Sequence, residues 1–180
     1  VADGGVRLRG DGGAVTLNGL AQGFAVDRVA SALRAHRVEH ALVDTGEIGG
    51  LGASREGDPW RVGIQHPRRP DAYISVAHLD GRCLATSGDY ATSFTDDFSR
   101  HHILDPATGA SPPRFASVTI AAGSGVEADM LSTAAFVMGP DDGLDLIAHT
   151  PGADALCVLK DGQMMATEGF PMASRRGDVR

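Results

Sequence analysis

The sequence predicts an α+β fold, with a mostly antiparallel sheet and flanking helices. Three observations carry that expectation. Short apolar or alternating runs follow one another through tight-turn signals, as hairpins do. Helical periodicity is confined to a few stretches, so strands and helices do not alternate as in a parallel doubly wound sheet. The chain has 24 glycines among its 180 residues. That suits many tight turns and places where the backbone approaches a ligand closely.

In order, Val1 to Arg9 and Ala14 to Leu17 read as two short strands about the turn Asp11-Gly12-Gly13. A glycine-bearing loop, Asn18 to Gly23, then feeds a helix reaching about His36, with Ala25, Val29, Ala32 and Leu33 on its inner face. Amides at such a helix start suit an anion, although a lone glycine pair is also common in turns. Ala41-Leu42-Val43 reads as a buried strand, and Asp44 to Gly52 as a glycine-rich turn with two carboxylates. Trp60 to Gln65 is a strand ended by His66-Pro67. Tyr73 to Leu79 alternates as a half-buried strand, and Cys83-Leu84-Ala85 is expected to pair back on it across Asp80-Gly81.

Thr86-Ser87-Gly88 sets two hydroxyls and an amide at a strand end, which suits a phosphate or flavin and equally suits ordinary turn chemistry. His101 and His102 are adjacent and point to opposite faces if extended, so a two-histidine metal clamp is not expected. Asp105-Pro106 followed by Thr108-Gly109 signals a turn. Phe115 to Ala121 is a strand, and Leu144 to His149 a short helix. Ala155 to Leu159 and Met164 to Ala166 form a last hairpin, and the tail from Ser174 is polar and expected to fray.

The stretch from Val126 to Gly139 reads as a helix closed by Gly139-Pro140. Met130, Ala134 and Val137 recur at helical spacing and give it an apolar face. Asp129 and Thr133 are four apart and stack on one face, where a carboxylate and a hydroxyl suit a hard cation such as Mg2+. A plainer reading makes Asp129 a partner of the helix dipole and Thr133 a packing residue.

Composition narrows the classes. Apolar residues make up 42% of the chain, enough to build a core, and no linker or repeat divides it, so residues 1–180 are expected to be one domain. The net charge of −7 argues against a nucleic-acid binder held by phosphate contacts. Cys83 and Cys157 each lie in an apolar run without metal-ligand spacing. No stretch is long and apolar enough to span a bilayer as a helix.

Four segments together resemble one family. Gly19 to Asp27, Thr86 to Tyr90, His102 to Gly109 and Ala128 to Ala134 occur in the order seen in the ApbE family of FAD:protein FMN transferases. The resemblance runs from about Val6 to Phe170. It implies an ApbE-like (T-fold-like) α+β fold that binds FAD and Mg2+, cleaves the pyrophosphate, joins FMN to a Ser or Thr of a target flavoprotein, and releases AMP. By resemblance the metal falls to Asp129, Thr133 and the Ala21 carbonyl. Gly19, Ala21, Gln22, Gly23, Asp27, Thr86, Ser87, Gly88 and His102 fall at the flavin site, with His102 and Asp129 as the catalytic pair. His102 would deprotonate the incoming hydroxyl or hold the flavin.

The chain departs from the family pattern in three places. Gln22 stands where many members carry Lys, and Asp44-Thr45-Gly46-Glu47 replaces the usual Gly-Gly-Asp. Members also carry an earlier portion, with an aromatic that covers the flavin, so the chain is expected to be an N-terminally truncated fragment. The resemblance suggests a periplasmic or membrane-anchored bacterial protein. Two rival readings are an FAD-binding carrier module without transfer and an Mg2+-dependent FAD pyrophosphatase. The first leaves FAD bound and intact with Mg2+. The second releases FMN and AMP with no acceptor present.

Overall fold

A computed structural model describes residues 12–173 of the chain. The expected strand Val1 to Arg9 and the tail from Ser174 lie outside the described residues.

The first helix, α1, spans Asn18–Ala35. Strands β1 (Ala41–Asp44) and β2 (Ile48–Leu51) follow, then the hairpin of β3 (Trp60–His66) and β4 (Arg69–Leu79), and then β5 (Cys83–Gly88). Strand β6 (Phe115–Ala122) leads into α2 (Gly125–Met138) and α3 (Pro140–Ala148). Strands β7 (Asp154–Leu159) and β8 (Met164–Ala166) close the order. Six strands form one sheet in the order β1-β2-β5-β6-β7-β8, and β3-β4 stands apart as a two-stranded sheet. Every pairing is antiparallel, as expected.

Strand β6 is buried along all its residues because both faces of the sheet are covered. On one face Ala85, Val118, Ile120 and Cys157 pack against Ala128, Leu131, Ala135 and Phe136 of α2. On the other, Leu84, Ala121 and Leu156 meet Val62, Ile64, Ala77 and Leu79 of the β3-β4 hairpin, with Phe170 alongside. Alternate residues of β5, β6 and β7 thus feed two cores.

That layering corrects several expectations. Cys83 to Ala85 does not pair back on Tyr73 to Leu79. Strand β5 is central, bonded to β6 through Cys83↔Ala122 and to β2 through Ile48↔Leu84, while β4 lies across the sheet's face. Ile48 to Leu51 is a strand, because the turn is confined to Thr45–Glu47, where Gly46 takes φ +102°. Ala14 to Leu17 is not a strand. It has no partner among the described residues, and Val15 and Leu17 are exposed.

The segment Asn18 to Gly23 belongs to α1, with a kink at Gly19 (φ −79°, ψ 18°). The inner face of α1 is Gly23, Val26 and Ala30, one step round from the face expected. In α2 the buried face carries Ala128, Asp129, Leu131, Ser132, Ala135 and Phe136, and Met130 is exposed. In α1 the stripe is blurred because apolar Phe24 and Val29 stand on the exposed side, and in α2 because the buried face carries polar Asp129 and Ser132. Helix α3 begins at Pro140, earlier than expected, since proline serves well at a first helical position.

Candidate active site

Helix α2 begins where β6 delivers it, and two side chains satisfy its free amides. Ser124 accepts from Glu127 N–H at 3.2 Å. The Asp27 carboxylate, from α1, accepts Gly125 N–H at 2.8 Å and Val126 N–H at 3.0 Å. Helices α1 and α2 touch at Gly23 and Gly125, where a side chain on either would strike the other's backbone. Close crossing brings the Gly23 amide to 2.9 Å from Asp129 Oδ2.

The kinked start of α1, the end of β5, the β1-β2 turn and the middle of α2 border a cavity of about 430 Å³. Gly19, Gln22, Thr86, Ser87, Gly88, His102, Asp129 and Thr133 all line it. Residues more than a hundred positions apart thus share one cleft. Three residues singled out in the sequence do not line it. Ala21 is on the exposed side of α1, Gly23 stands behind Asp129, and Asp27 is engaged at the start of α2. Gly19 does line the cavity, with its Cα against Thr133, and is the main-chain group at the kink.

Hydroxyls tie the strand to the helix. Ser87 Oγ lies 2.9 Å from Ser132 Oγ and 3.0 Å from Thr133 Oγ1. Thr86 Oγ1 pairs with Thr119 Oγ1 across β5 and β6 at 2.9 Å. Gln22 leans on the β1-β2 turn: its carbonyl accepts from Thr45 Oγ1 at 3.1 Å. His101 and His102 do point apart. His101 is fully buried, edge-on to Phe136, while His102 is exposed at the cavity. His102 Nδ1 lies 3.3 Å from the Thr92 carbonyl. A carbonyl only accepts, so Nδ1 carries the proton in that bond and Nε2 is the free acceptor.

Glu47, which stands out in the sequence only as a departure from the family's turn, lies at the site itself. It is 7% exposed, lines the cavity, and its Oε2 accepts Thr86 N–H at 2.9 Å. Burial pushes its carboxyl up to about 8, opposed by the Thr86 amide and reinforced by Asp129 and Asp44. Asp129, 5% exposed, is also raised by burial, and the Gly23 and Gln22 amides oppose the rise. Among the described residues no Lys, Arg or His pairs with either carboxylate. The signal for Glu47 was its place directly before the apolar run Ile48 to Leu51, where a sheet strand buries it.

The two cysteines are thiols without a partner. Burial pushes Cys83 up to about 11 and Cys157 up to about 12, so neither is a ready nucleophile.

Fold and cavity define a class: an antiparallel α+β protein with a ligand cleft that carries two buried carboxyl groups and a row of hydroxyls. The ApbE family model matches residues 2–157, and the chain belongs to the ApbE family. An FAD:protein FMN transferase of Treponema pallidum is 35% identical over 190 residues, covering 97% of this chain and 52% of that protein. Its counterpart in Haemophilus influenzae is 36% identical over 152 residues, covering 82% of this chain and 44% of its own length. The crystal structure of the Thermotoga maritima ApbE protein superposes with a TM-score of 0.77 at 36% identity, over 86% of this chain and 51% of that one. The Vibrio cholerae flavin transferase ApbE gives 0.73 at 32% identity, over 88% of this chain and 52% of that one. The chain thus spans about half the length of the relatives it matches.

Proposed function

We propose that the chain carries the metal and phosphate half of a flavin transferase, which moves FMN from FAD to a Ser or Thr hydroxyl of a target flavoprotein and releases AMP. The observation that carries this reading is Asp129 beside Thr133: a buried carboxylate and a hydroxyl on one cavity wall, with no basic side chain among the described residues paired to the carboxylate. Buried negative charge is costly unless a cation or proton neutralises it.

The donor set fits Mg2+. Its side-chain groups are oxygens, the Asp129 carboxylate and the Thr133 hydroxyl, both on the cavity wall. Mg2+ binds through few carboxylates and completes its shell with water and substrate phosphate oxygens. Asp129 and Thr133 would hold it, with the main chain at the Gly19 kink of α1, the backbone that lines the cavity beside Thr133, as the third donor. When bound it neutralises charge on the pyrophosphate and the leaving phosphate.

The chain's own groups supply the rest. The end of β5, Thr86 to Gly88, forms the cavity wall opposite α2, and Ser87 Oγ holds the Thr133 hydroxyl in place. His102 Nε2 takes the proton of the acceptor hydroxyl as its oxygen bonds to the FMN phosphorus, while the bond from that phosphorus to the AMP oxygen breaks. Gln22, in place of Lys, leaves the phosphates without one cationic contact.

Intact-mass spectrometry tests the reading. Protein, FAD, Mg2+ and a candidate flavoprotein domain are mixed, using this chain and the chain joined to any sequence preceding it in its gene. The expected result is an acceptor heavier by one FMN, with AMP released. Free FMN and AMP without an adduct would favour a pyrophosphatase, and intact bound FAD a carrier module.

A further inference from the structure

A second cavity of about 570 Å³ adjoins the first, and Leu104 lines both. Its walls include Phe94, Arg100 and the turn from Gly109 to Ser111. We propose that this cavity is the docking groove for the acceptor segment of the target flavoprotein. The segment would be extended, with an apolar side chain on Phe94 and Leu104 and a carboxylate beside Arg100. The proposal rests on the transferase reading above.

Position is the first argument. His102 lies two residues before Leu104 and faces the first cavity. A chain crossing Leu104 therefore carries its next hydroxyl to His102, the group placed to receive the proton. The other neighbouring cavity, which shares Glu47 and Thr86 with the first, is smaller, about 230 Å³. It is walled by Val62 to Gln65 of β3 and, among the described residues, carries no exposed apolar pair or free cation.

Surface chemistry is the second. Phe94 is 66% exposed and Leu104 53% exposed, and both line the one groove. Large exposed apolar side chains grouped at a cleft mark an interaction surface more than scattered ones do. Arg100 is exposed and makes no ion pair among the described residues. The acidic residues nearest in sequence, Asp96 and Asp97, do not line the groove, and Asp97 is engaged by Ser99 N–H at 3.0 Å. In a chain of net charge −7, a free guanidinium beside an apolar pair selects a carboxylate, which it can bind through two parallel hydrogen bonds.

Rigidity is the third. The groove is preformed by its own bonds: Ser93 bridges to His101, His101 N–H donates to Ser111 Oγ at 2.9 Å, and Ser111 Oγ donates to the His101 carbonyl at 2.8 Å. Asp105 closes the far turn by accepting from Ala107 N–H at 2.8 Å and Thr108 Oγ1 at 3.0 Å. A surface held this way loses little freedom when a peptide binds.

The test is steady-state kinetics of FMN transfer to the acceptor domain that the wild-type protein flavinylates. Phe94→Glu and Arg100→Glu are compared with wild type, and KM is measured separately for acceptor and FAD. Both side chains are exposed, so the variants should melt as wild type does. The expected result is an acceptor KM raised about tenfold or more in each, with the FAD KM and the release of FMN to water unchanged. Replacing the acceptor's carboxylate nearest its hydroxyl with Lys should restore transfer by Arg100→Glu. An unchanged acceptor KM in both variants overturns the groove while leaving the transferase reading intact. A wild-type protein that makes no adduct overturns both.

Discussion

The Gly23 amide donates to Asp129 Oδ2 at 2.9 Å, joining α1 and α2 across 106 residues of chain. The bond exists because two glycines let the helices cross backbone to backbone. One oxygen of the buried carboxylate is thereby engaged and its orientation set. Asp129 is therefore part of the helix packing as well as part of the cavity wall.

Replacing Gly23 with Ala should force the helices apart. The added Cβ would meet the Gly125 carbonyl and Asp129 Cβ, neither of which can swing away as a flexible side chain would. The expected loss is about 1–3 kcal/mol, the usual cost of overpacking. Urea denaturation measures it. Transfer should fall as well, because Asp129 moves with the contact.

Glu47 should make stability fall as pH rises. Its carboxyl is raised from the ordinary 4.5 to about 8, so the folded state holds a proton that the unfolded state has already lost. Below about 4.5 both states are protonated and nothing is lost. Between about 4.5 and 8 stability declines, and above 8 the loss is complete. Glu47→Gln keeps an oxygen for the Thr86 amide and cannot ionise. The variant should match wild type at low pH and exceed it at pH 8 by on the order of 1–3 kcal/mol. Thermal melts across that range check the sign.

The β3-β4 hairpin should depend on one buried ion pair. Arg68 grips Asp89 through two bonds, 2.6 and 2.8 Å long, and stacks over Phe98 at 4.1 Å. Asp89 is fully buried, and Lys160 Nζ lies 3.5 Å away. Arg68→Ala leaves that carboxylate with the weaker partner alone, at a cost of roughly 3 kcal/mol. Hydrogen exchange should show the hairpin amides losing protection before those of β6.

Much of the strand inventory was legible in the sequence because antiparallel hairpins announce themselves through alternation and turn residues. Pairing was not. Cys83 to Ala85 follows Leu79 across a turn as a hairpin partner would, yet its apolar residues on both faces suit a central strand better. The site showed a similar division. Gly19, Thr86 to Gly88, His102, Asp129 and Thr133 could be picked out by residue type and order, and they do share a cavity. Asp27 could not be separated from them, since a carboxylate that caps a helix and one that faces a ligand look alike in a sequence. Glu47 was visible only as a departure from the family's turn, because its place in the site comes from burial against β5, a contact made 39 residues away.

Thr133→Val should lower Mg2+ affinity without unfolding the protein. It keeps the shape of a half-buried side chain, removes one oxygen, and releases Ser87 Oγ to its remaining bond with Ser132. The expected fall is about tenfold, read by isothermal titration with Mg2+ in the presence and absence of FAD.

The most direct test is Mg2+-dependent FMN transfer by Asp129→Asn. Asn retains an oxygen for the Gly23 amide and nearly the same volume, whereas Ala would leave that buried amide without an acceptor, at a cost of about 1–3 kcal/mol. The substitution removes the charge alone. Intact-mass spectrometry of the acceptor, with a thermal melt as control, is expected to show transfer reduced at least about a hundredfold at an unchanged melting temperature. Transfer at the wild-type rate by Asp129→Asn would contradict the metal site and the mechanism built on it.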